Sequence, residues 1–255
     1  MSNVVRFESC GATLEGRIHN PDGTPHIKAL VTILTGDSPN GLKSKTWPPM
    51  IAALTARQFT VFAFDFLSQG YSGGERTSLS LSVGCQNLID SQIALAKHLS
   101  LASYRTGFLG SSFGGTVILS THDRVSGHAI ALKSPASFLP EAYESEHGFP
   151  VAMEAWRKNG VSTITGLHYR AYLDALAHNV YTSAMNIYVP VLIVHGDADS
   201  IVPVGQSRRL CHILGSQARL IELAGANHDY KQPGAQEAMQ SHIVQFFAEK
   251  LLSES

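Results

Sequence analysis

The sequence predicts an α/β fold in which helices cover both faces of a doubly wound, mostly parallel sheet. Short β-rich runs alternate with longer helical patterns along most of the 255 residues. Several of the runs are apolar at consecutive positions, which is typical of strands covered on both faces of a parallel sheet. Strand–helix alternation of this length favours right-handed crossovers and one large domain.

Six runs are predicted as parallel strands, namely residues 29–34, 60–66, 106–110, 128–132, 191–195 and 219–223. Five helices are predicted between and after them, namely residues 48–57, 85–99, 114–122, 206–214 and 236–252. A hairpin of residues 4–8 with residues 13–19 is expected to add antiparallel strands at one edge of the sheet.

Residues 140–186 interrupt this alternation and are predicted to form a small helical lid. The lid is inserted into a core made of residues 1–139 and 187–255. It holds no strand-like run of comparable strength, but five residues are spaced as one face of a helix: Tyr169, Tyr172, Leu173, Leu176 and Val180.

The lid is also unusually aromatic, and two interpretations of its rings stay open. The simpler one is that any single ring packs the lid onto the core. The functional one is that a subset, with Trp156, Tyr169 and Tyr172 as the candidates, lines a pocket for the substrate.

Composition limits the classes of function. Hydrophobic residues make up 44% and charged residues 15% of the chain, which excludes a disordered protein. Lys and Arg total 19 against 20 Asp and Glu, for a formal charge of −1. This balance argues against a nucleic-acid partner. No apolar run approaches the roughly 20 residues of a membrane span, so no membrane partner is expected.

The cysteines and the start of the chain favour a cytoplasmic location. Cys10, Cys85 and Cys211 are odd in number and far apart, which argues against a disulfide framework or a cysteine zinc site. The first residues lack the basic and apolar regions of a signal peptide. No metal site is predicted, because no pair of the twelve histidines has a ligand spacing.

The strongest chemical signal is the G-x-S-x-G pattern from Gly110 to Gly114, which places Ser112 between a predicted strand and a predicted helix. In this context the pattern forms a sharp turn that exposes the serine hydroxyl. Ser112 has glycine two residues before and after it, whereas Ser111 is flanked by larger residues at those positions. An ordinary glycine-serine turn is the alternative interpretation.

Candidates for an acid and a base follow the next strands in chain order. Asp197 and Asp199 come just after the run at 191–195, and His228 comes just after the run at 219–223. Active sites of parallel sheets assemble at these carboxyl ends. The order serine, acid, histidine is that of a nucleophile with its base and orienting group.

With these motifs the chain resembles the α/β-hydrolase superfamily, in particular its serine esterase and serine aminopeptidase-like group, which includes feruloyl-type carboxylesterases. The pattern from His195 to Pro203 resembles the acid-bearing loop of that group, and Gly225 to His228 resembles its G-x-x-H. The resemblance covers nearly the whole chain. It implies Ser112, Asp199 and His228 as the catalytic triad, with Asp199 preferred over Asp197.

The resemblance also implies an oxyanion hole built from backbone amides. The group often has His-Gly after its third strand, and this chain has Thr35 and Gly36 there. Gly36 is kept, so the amide of Asp37 is expected beside that of Phe113. The Asp37 carboxylate is expected to point away from the oxyanion or to meet a cation.

These expectations describe a hydrolase that cleaves a small-molecule acyl ester through an acyl-enzyme intermediate, without cofactor or metal. The same triad is compatible with a thioesterase, an amidase or a carbon–carbon bond hydrolase. A non-catalytic ligand-binding protein on this scaffold is a further alternative. The sequence leaves the acyl preference and the oligomeric state open.

Overall fold

A computed structural model describes residues 3–21, 29–99 and 104–252. Eight strands are found in these ranges: β1 (Asn3–Ser9), β2 (Ala12–His19), β3 (Ala29–Leu34), β4 (Phe59–Phe64), β5 (Arg105–Ser111), β6 (Ala129–Lys133), β7 (Val191–Gly196) and β8 (Ala218–Leu223). They form one sheet in the order β1-β2-β4-β3-β5-β6-β7-β8. All pairs from β4 to β8 are parallel, and β1 and β2 are antiparallel additions. The predicted fold class is confirmed.

The hairpin at the amino-terminal edge owes its tight turn to two residues with positive φ. Cys10 and Gly11 have φ angles of 50° and 78°. Two central residues of this kind form the turn whose twist matches that of the adjoining strands. The register therefore pairs Ser9 with Ala12 directly across the turn.

Nine α-helices lie in the same ranges: α1 (Trp47–Ala56), α2 (Leu81–His98), α3 (Phe113–Thr121), α4 (Leu139–His147), α5 (Val151–Asn159), α6 (Arg170–Leu176), α7 (Val180–Ala184), α8 (Val204–Leu214) and α9 (Ala235–Phe247). Helix α2 begins four residues before the predicted start at Cys85. Ser80 caps it by accepting a hydrogen bond from the Val83 amide.

Helices cover the sheet on both sides, so the central strands have no face in water. Every residue of β3, β4, β6 and β7 is buried. The core on one face includes α2 and α3, and the core on the other face includes α1 and α9. This explains why the parallel strands are continuously apolar in the sequence, without alternation.

The helices α4 to α7 lie between β6 and β7, within and beside the segment predicted as a lid. The single helical face predicted from Tyr169 to Val180 is wrong. Helix α6 ends at Leu176, and α7 begins after Asn179, whose side chain accepts the Thr182 amide at 3.1 Å. Because the chain turns between the two helices, Leu173 and Leu176 are each 52% exposed.

Helices α2 and α3 pack unusually close together at Gly84. A Cβ atom on Gly84 would lie 2.7 Å from Phe113 Cζ and 2.9 Å from Val117 Cγ2. Phe113 is itself 1% exposed and meets Phe66 edge to face, so its ring has little room to move. The position therefore requires glycine for packing.

Replacement of Gly84 by alanine should lower the free energy of unfolding by about 1–3 kcal/mol, because overpacking a filled core costs that much. Urea denaturation measures the change. The matched control is Gly205→Ala on α8, where an added Cβ meets nothing within 4 Å. That control should be neutral or stabilising by up to about 1 kcal/mol. Equal effects of the two substitutions would contradict the close helix contact.

Candidate active site

The carboxyl ends of β3, β5, β6 and β7 and the loop after β8 enclose a pocket of about 280 Å³. Ser112, His228, Phe113 and Asp37 all line it. The parallel sheet brings these residues together although they are far apart in sequence, because each follows the same end of a strand.

Ser112 occupies a strained turn between β5 and α3. Its φ and ψ are 48° and −113°, in a region that non-glycine residues rarely adopt. A Cβ on Gly110 would lie 2.7 Å from Gly115 Cα, and a Cβ on Gly114 would lie 2.5 Å from Thr35 O. The two flanking glycines are thus required by close backbone approach, as the motif predicts.

His228 is held by a carboxylate from the neighbouring loop. Its Nδ1 lies 2.7 Å from Asp199 Oδ2. A carboxylate accepts a hydrogen bond, so the tautomer of the neutral ring that fits this contact has its proton on Nδ1 and a lone pair on Nε2. In the described residues no hydrogen bond within 3.5 Å joins Ser112 Oγ to His228. Such contacts are often long in ligand-free sites and tighten when substrate binds.

Asp199 is fully buried and satisfied on both oxygens. Oδ1 accepts the amides of Ile201 at 2.9 Å and Val202 at 2.8 Å, and Oδ2 lies 3.1 Å from His195 Nε2. Burial opposes ionisation of this carboxyl. The hydrogen bonds from His195 and His228 outweigh burial and hold the pKa of Asp199 well below its usual range. The group is therefore a fixed anion beneath His228.

Asp197 takes a different position. Its Oδ1 accepts the Gly225 amide at 2.6 Å, so it joins the loop after β7 to the loop after β8. Asp199, and not Asp197, contacts His228 among the described residues. Of the two neighbouring aspartates, the structure places the one preferred on the motif beside the histidine.

Phe113 and Asp37, whose amides are expected to form the oxyanion hole, both line the pocket. Within the described ranges, neither the Phe113 N–H nor the Asp37 N–H donates a hydrogen bond to another protein group. The two loops are close, since a Cβ on Gly36 would lie 3.5 Å from Ser112 Cβ. The amino end of α3 adds a partial positive charge at the same point.

The Asp37 carboxylate meets a cation. Arg76 Nη2 donates to Asp37 Oδ1, and Arg76 Nε donates to Thr165 O at 2.9 Å. Burial raises the pKa of Asp37, and the Arg76 guanidinium opposes that rise. Through Arg76, the Asp37 loop is connected to Thr165 of the inserted segment.

Gln69 holds the Thr35-Gly36 turn by two hydrogen bonds. Thr35 Oγ1 donates to Gln69 Oε1 at 2.9 Å, and Gln69 Nε2 donates to Gly36 O at 3.2 Å. Gln69 is fully buried. The roles of Gln69 and Arg76 were not predicted from the sequence, although the unusual Thr35-Gly36-Asp37 segment indicated that other side chains must hold this turn.

The three aromatic residues expected to bind substrate do not reach this pocket. Trp156 is 2% exposed, stacks on His147 with ring centroids 4.5 Å apart, and donates its Nε1–H to Leu167 O at 2.9 Å. Tyr169 and Tyr172 line a separate depression beside Phe149. The expectation is corrected because these rings form the inserted segment's own core. Leu139, Tyr143 and Glu146 of α4 line the Ser112 pocket instead.

Two kinds of site are absent from the part of the chain that the structure describes. No group of three or more His, Cys, Asp or Glu side chains there could hold a metal ion. No helix there combines the length and the apolarity needed to cross a membrane.

The sheet order, the serine at the strand–helix turn and the carboxylate–histidine pair define the class as an α/β-hydrolase with a serine hydrolase site. Residues 54–254 match the Peptidase_S9 profile, and the chain therefore belongs to the prolyl oligopeptidase family. The predicted superfamily is confirmed.

The chain is also similar in sequence to proteins of Escherichia coli. It is 26% identical over 223 residues to the uncharacterized protein YfhR of Escherichia coli K12, covering 86% of this chain and 70% of YfhR. The same identity and coverage hold for YfhR of Escherichia coli O157:H7.

Solved structures with a similar fold include several esterases. Est1E from Butyrivibrio proteoclasticus, with ferulic acid bound, gives a TM-score of 0.85 at 21% identity, covering 97% of this chain and 99% of Est1E. The Pyrococcus furiosus esterase Pf2001 gives 0.77 at 18% identity, covering 98% and 92%. Mouse α/β hydrolase domain-containing protein 10 gives 0.75 at 16% identity, covering 98% and 100%. At these identities the likeness shows the shared fold.

Replacement of Arg76 by methionine should lower the free energy of unfolding by about 2–3 kcal/mol, because it leaves the nearly buried Asp37 carboxylate without its cation. Chemical denaturation at pH 7 measures the loss. The double variant Arg76→Met/Asp37→Asn should recover part of it, since the amide carries no charge.

Arg157→Met is the matched control, because the Arg157–Glu154 pair is exposed and should contribute nothing measurable. An Arg76→Met variant as stable as this control would show that the Asp37 pair does not support the loop.

Proposed function

We propose that the protein hydrolyses carboxylic esters through a covalent acyl intermediate on Ser112. The observation that carries this proposal is the 2.7 Å contact between His228 Nδ1 and Asp199, in the same pocket as a serine held at positive φ. The esterases among the similar structures support the ester as the substrate bond.

In the proposed reaction His228 Nε2 takes the Ser112 proton as Oγ attacks the carbonyl carbon. Asp199 stabilises the imidazolium that forms. The amides of Phe113 and Asp37 donate to the oxyanion of the tetrahedral intermediate. The imidazolium then protonates the departing alcohol, and a water molecule deprotonated by His228 releases the acid and restores Ser112.

We further propose that residues 140–186 act as a lid that shapes the acyl site. Support comes from Tyr143 and Glu146 of α4, which line the Ser112 pocket, and from Leu139 just before that segment. Trp156 supports the lid from inside rather than touching substrate. A cytoplasmic location is proposed as well, because all three cysteines are free thiols in the structure.

Cleavage of an amide bond is the second candidate function, because the family to which the chain belongs is named for a peptidase. The two candidates share the site and differ in the leaving group. Esters, thioesters and amides with matched acyl groups, assayed side by side, separate them. The ester should give the highest kcat/KM if the first proposal holds.

Ser112→Ala should lower kcat by roughly 10³–10⁶-fold with little change in folding, as in other triads. A fluorophosphonate should label the wild-type protein on Ser112, located by mass spectrometry, and should not label the variant. Ser111→Ala is the matched control and should lose about tenfold or less, since Ser111 lies in β5 before the turn. Comparable losses of kcat in the two variants would contradict the assignment of Ser112 as the nucleophile. A folded wild-type protein that is not labelled would favour a non-catalytic ligand-binding protein.

Asp199→Asn should lower kcat on the order of 10⁴-fold, because an amide favours the wrong histidine tautomer. Asp197→Asn should lose about tenfold or less, because Asp197 only accepts the Gly225 amide. Both are measured at saturating substrate, with circular dichroism as the check on folding. The reverse ranking would move the acid to Asp197.

A further inference from the structure

Lys133 is a buried cation that the proposed reaction does not use. It ends β6 at the floor of the pocket, and only 6% of the residue is exposed. Its Nζ donates to His228 O at 3.3 Å and to Ser111 Oγ at 3.4 Å. Nζ also lies 4.7 Å from the centroid of the Tyr230 ring.

Two different groups of Lys133 bind the two reacting residues. Its backbone carbonyl accepts the Ser112 amide at 2.9 Å, and its ammonium donates to the His228 carbonyl. Lys133 thus contacts the backbone of the proposed nucleophile through its carbonyl and the backbone of the proposed base through its ammonium. Among the hydrogen bonds of the described residues, no other side chain donates to the His228 carbonyl.

This arrangement costs stability. In the described ranges no carboxylate lies within 4.0 Å of Nζ, so the groups in direct contact with the ammonium are two neutral oxygens and a ring. Burial lowers the pKa of Lys133 to about 8, while the nearby Asp229 and Asp199 oppose the shift. A well-packed apolar side chain of similar volume is often as stabilising as a buried charge or more so. Stability alone therefore does not explain a lysine here.

We propose that Lys133 is a positioning residue whose ammonium holds the His228 loop in place beside Ser112 for proton transfer. The inference rests on the proposed function of the same site. A hydrogen bond from a charged donor is about twice as strong as one from a neutral donor. Misplacement of a reacting group by about 1 Å can cost on the order of 100-fold in rate.

The test replaces Lys133 by methionine, which has a similar length and no charge. Lys133→Met should keep or raise the thermal midpoint, lower kcat by about 10- to 100-fold and change KM by less than about twofold. A residue needed only for folding would instead lower the midpoint and leave kcat per folded molecule unchanged.

The pH profile provides a second readout. The groups that face Nζ are Asp229, Asp199, His228 and Tyr230. Lys133 is an ammonium below about pH 8 and a neutral amine above it, so wild-type kcat should fall as the pH rises through 8. Lys133→Met should lack this fall. Lys133→Gln, a neutral donor, should show an intermediate kcat and a flat profile from pH 7.5 to 10.

The control is Lys231→Met, the same substitution three residues after His228. Lys231 is 73% exposed on its side chain and pairs with Asp229 in solvent. This variant should keep wild-type kcat. Wild-type kcat in Lys133→Met, or a fall near pH 8 that persists in Lys133→Gln, would overturn the inference. If Lys133→Met does not fold, the pH dependence of kcat in Lys133→Gln tests the inference in its place.

The rate of Ser112 labelling by a fluorophosphonate separates this inference from the proposed function. If wild-type Ser112 is not labelled, the proposed function fails. If it is labelled, and Lys133→Met is labelled equally fast, only the role of Lys133 fails. We expect labelling of the variant to be at least about tenfold slower.

Discussion

The positive φ of Ser112 is possible because the backbone passes close to itself on both sides of the turn between β5 and α3. Gly114 lets the start of α3 come so near β3 that a Cβ there would lie 2.5 Å from Thr35 O. That approach brings the Phe113 amide beside the loop that carries Asp37. The serine, the helix end and both candidate oxyanion donors therefore depend on one steric constraint, and a methyl group at Gly114 would separate them.

Three buried charges lie around this turn, and each is stabilised differently. Asp199 is held by two imidazoles and two backbone amides, and Asp37 by the guanidinium of Arg76. Among the described residues, the direct contacts of the Lys133 ammonium are two neutral oxygens and an aromatic ring. Buried charges cost free energy unless they are paired, so charges without a structural reason concentrate where chemistry needs them. On this ground Lys133, the least satisfied of the three, also points to a function.

The parallel strands could be predicted almost to their ends, because strands covered on both faces are apolar at every position and strand–helix alternation fixes their direction. The start of α2 was predicted four residues late, because Gly84 in its first turn is a poor helix former although Leu81 and Val83 before it are apolar. The inserted segment was the least predictable part. The spacing of Tyr169 to Val180 fits one helix, yet Asn179 caps a new helix, α7, within that range. The rings of Tyr143, His147 and Tyr169 pack against the buried Trp156.

The sequence by itself determined the superfamily, the strand order of the candidate residues and the choice of Ser112 over Ser111, because flanking glycines and strand ends are local features. Only the tertiary structure decided which side chains surround them. Arg76 and Gln69 contact the Asp37 loop from more than thirty residues away in sequence. Lys133 contacts His228 from the end of β6, whose other four residues are apolar and buried. Such contacts depend on how the loops pack against one another at the carboxyl ends of the strands. No periodicity or motif in a single sequence predicts that packing.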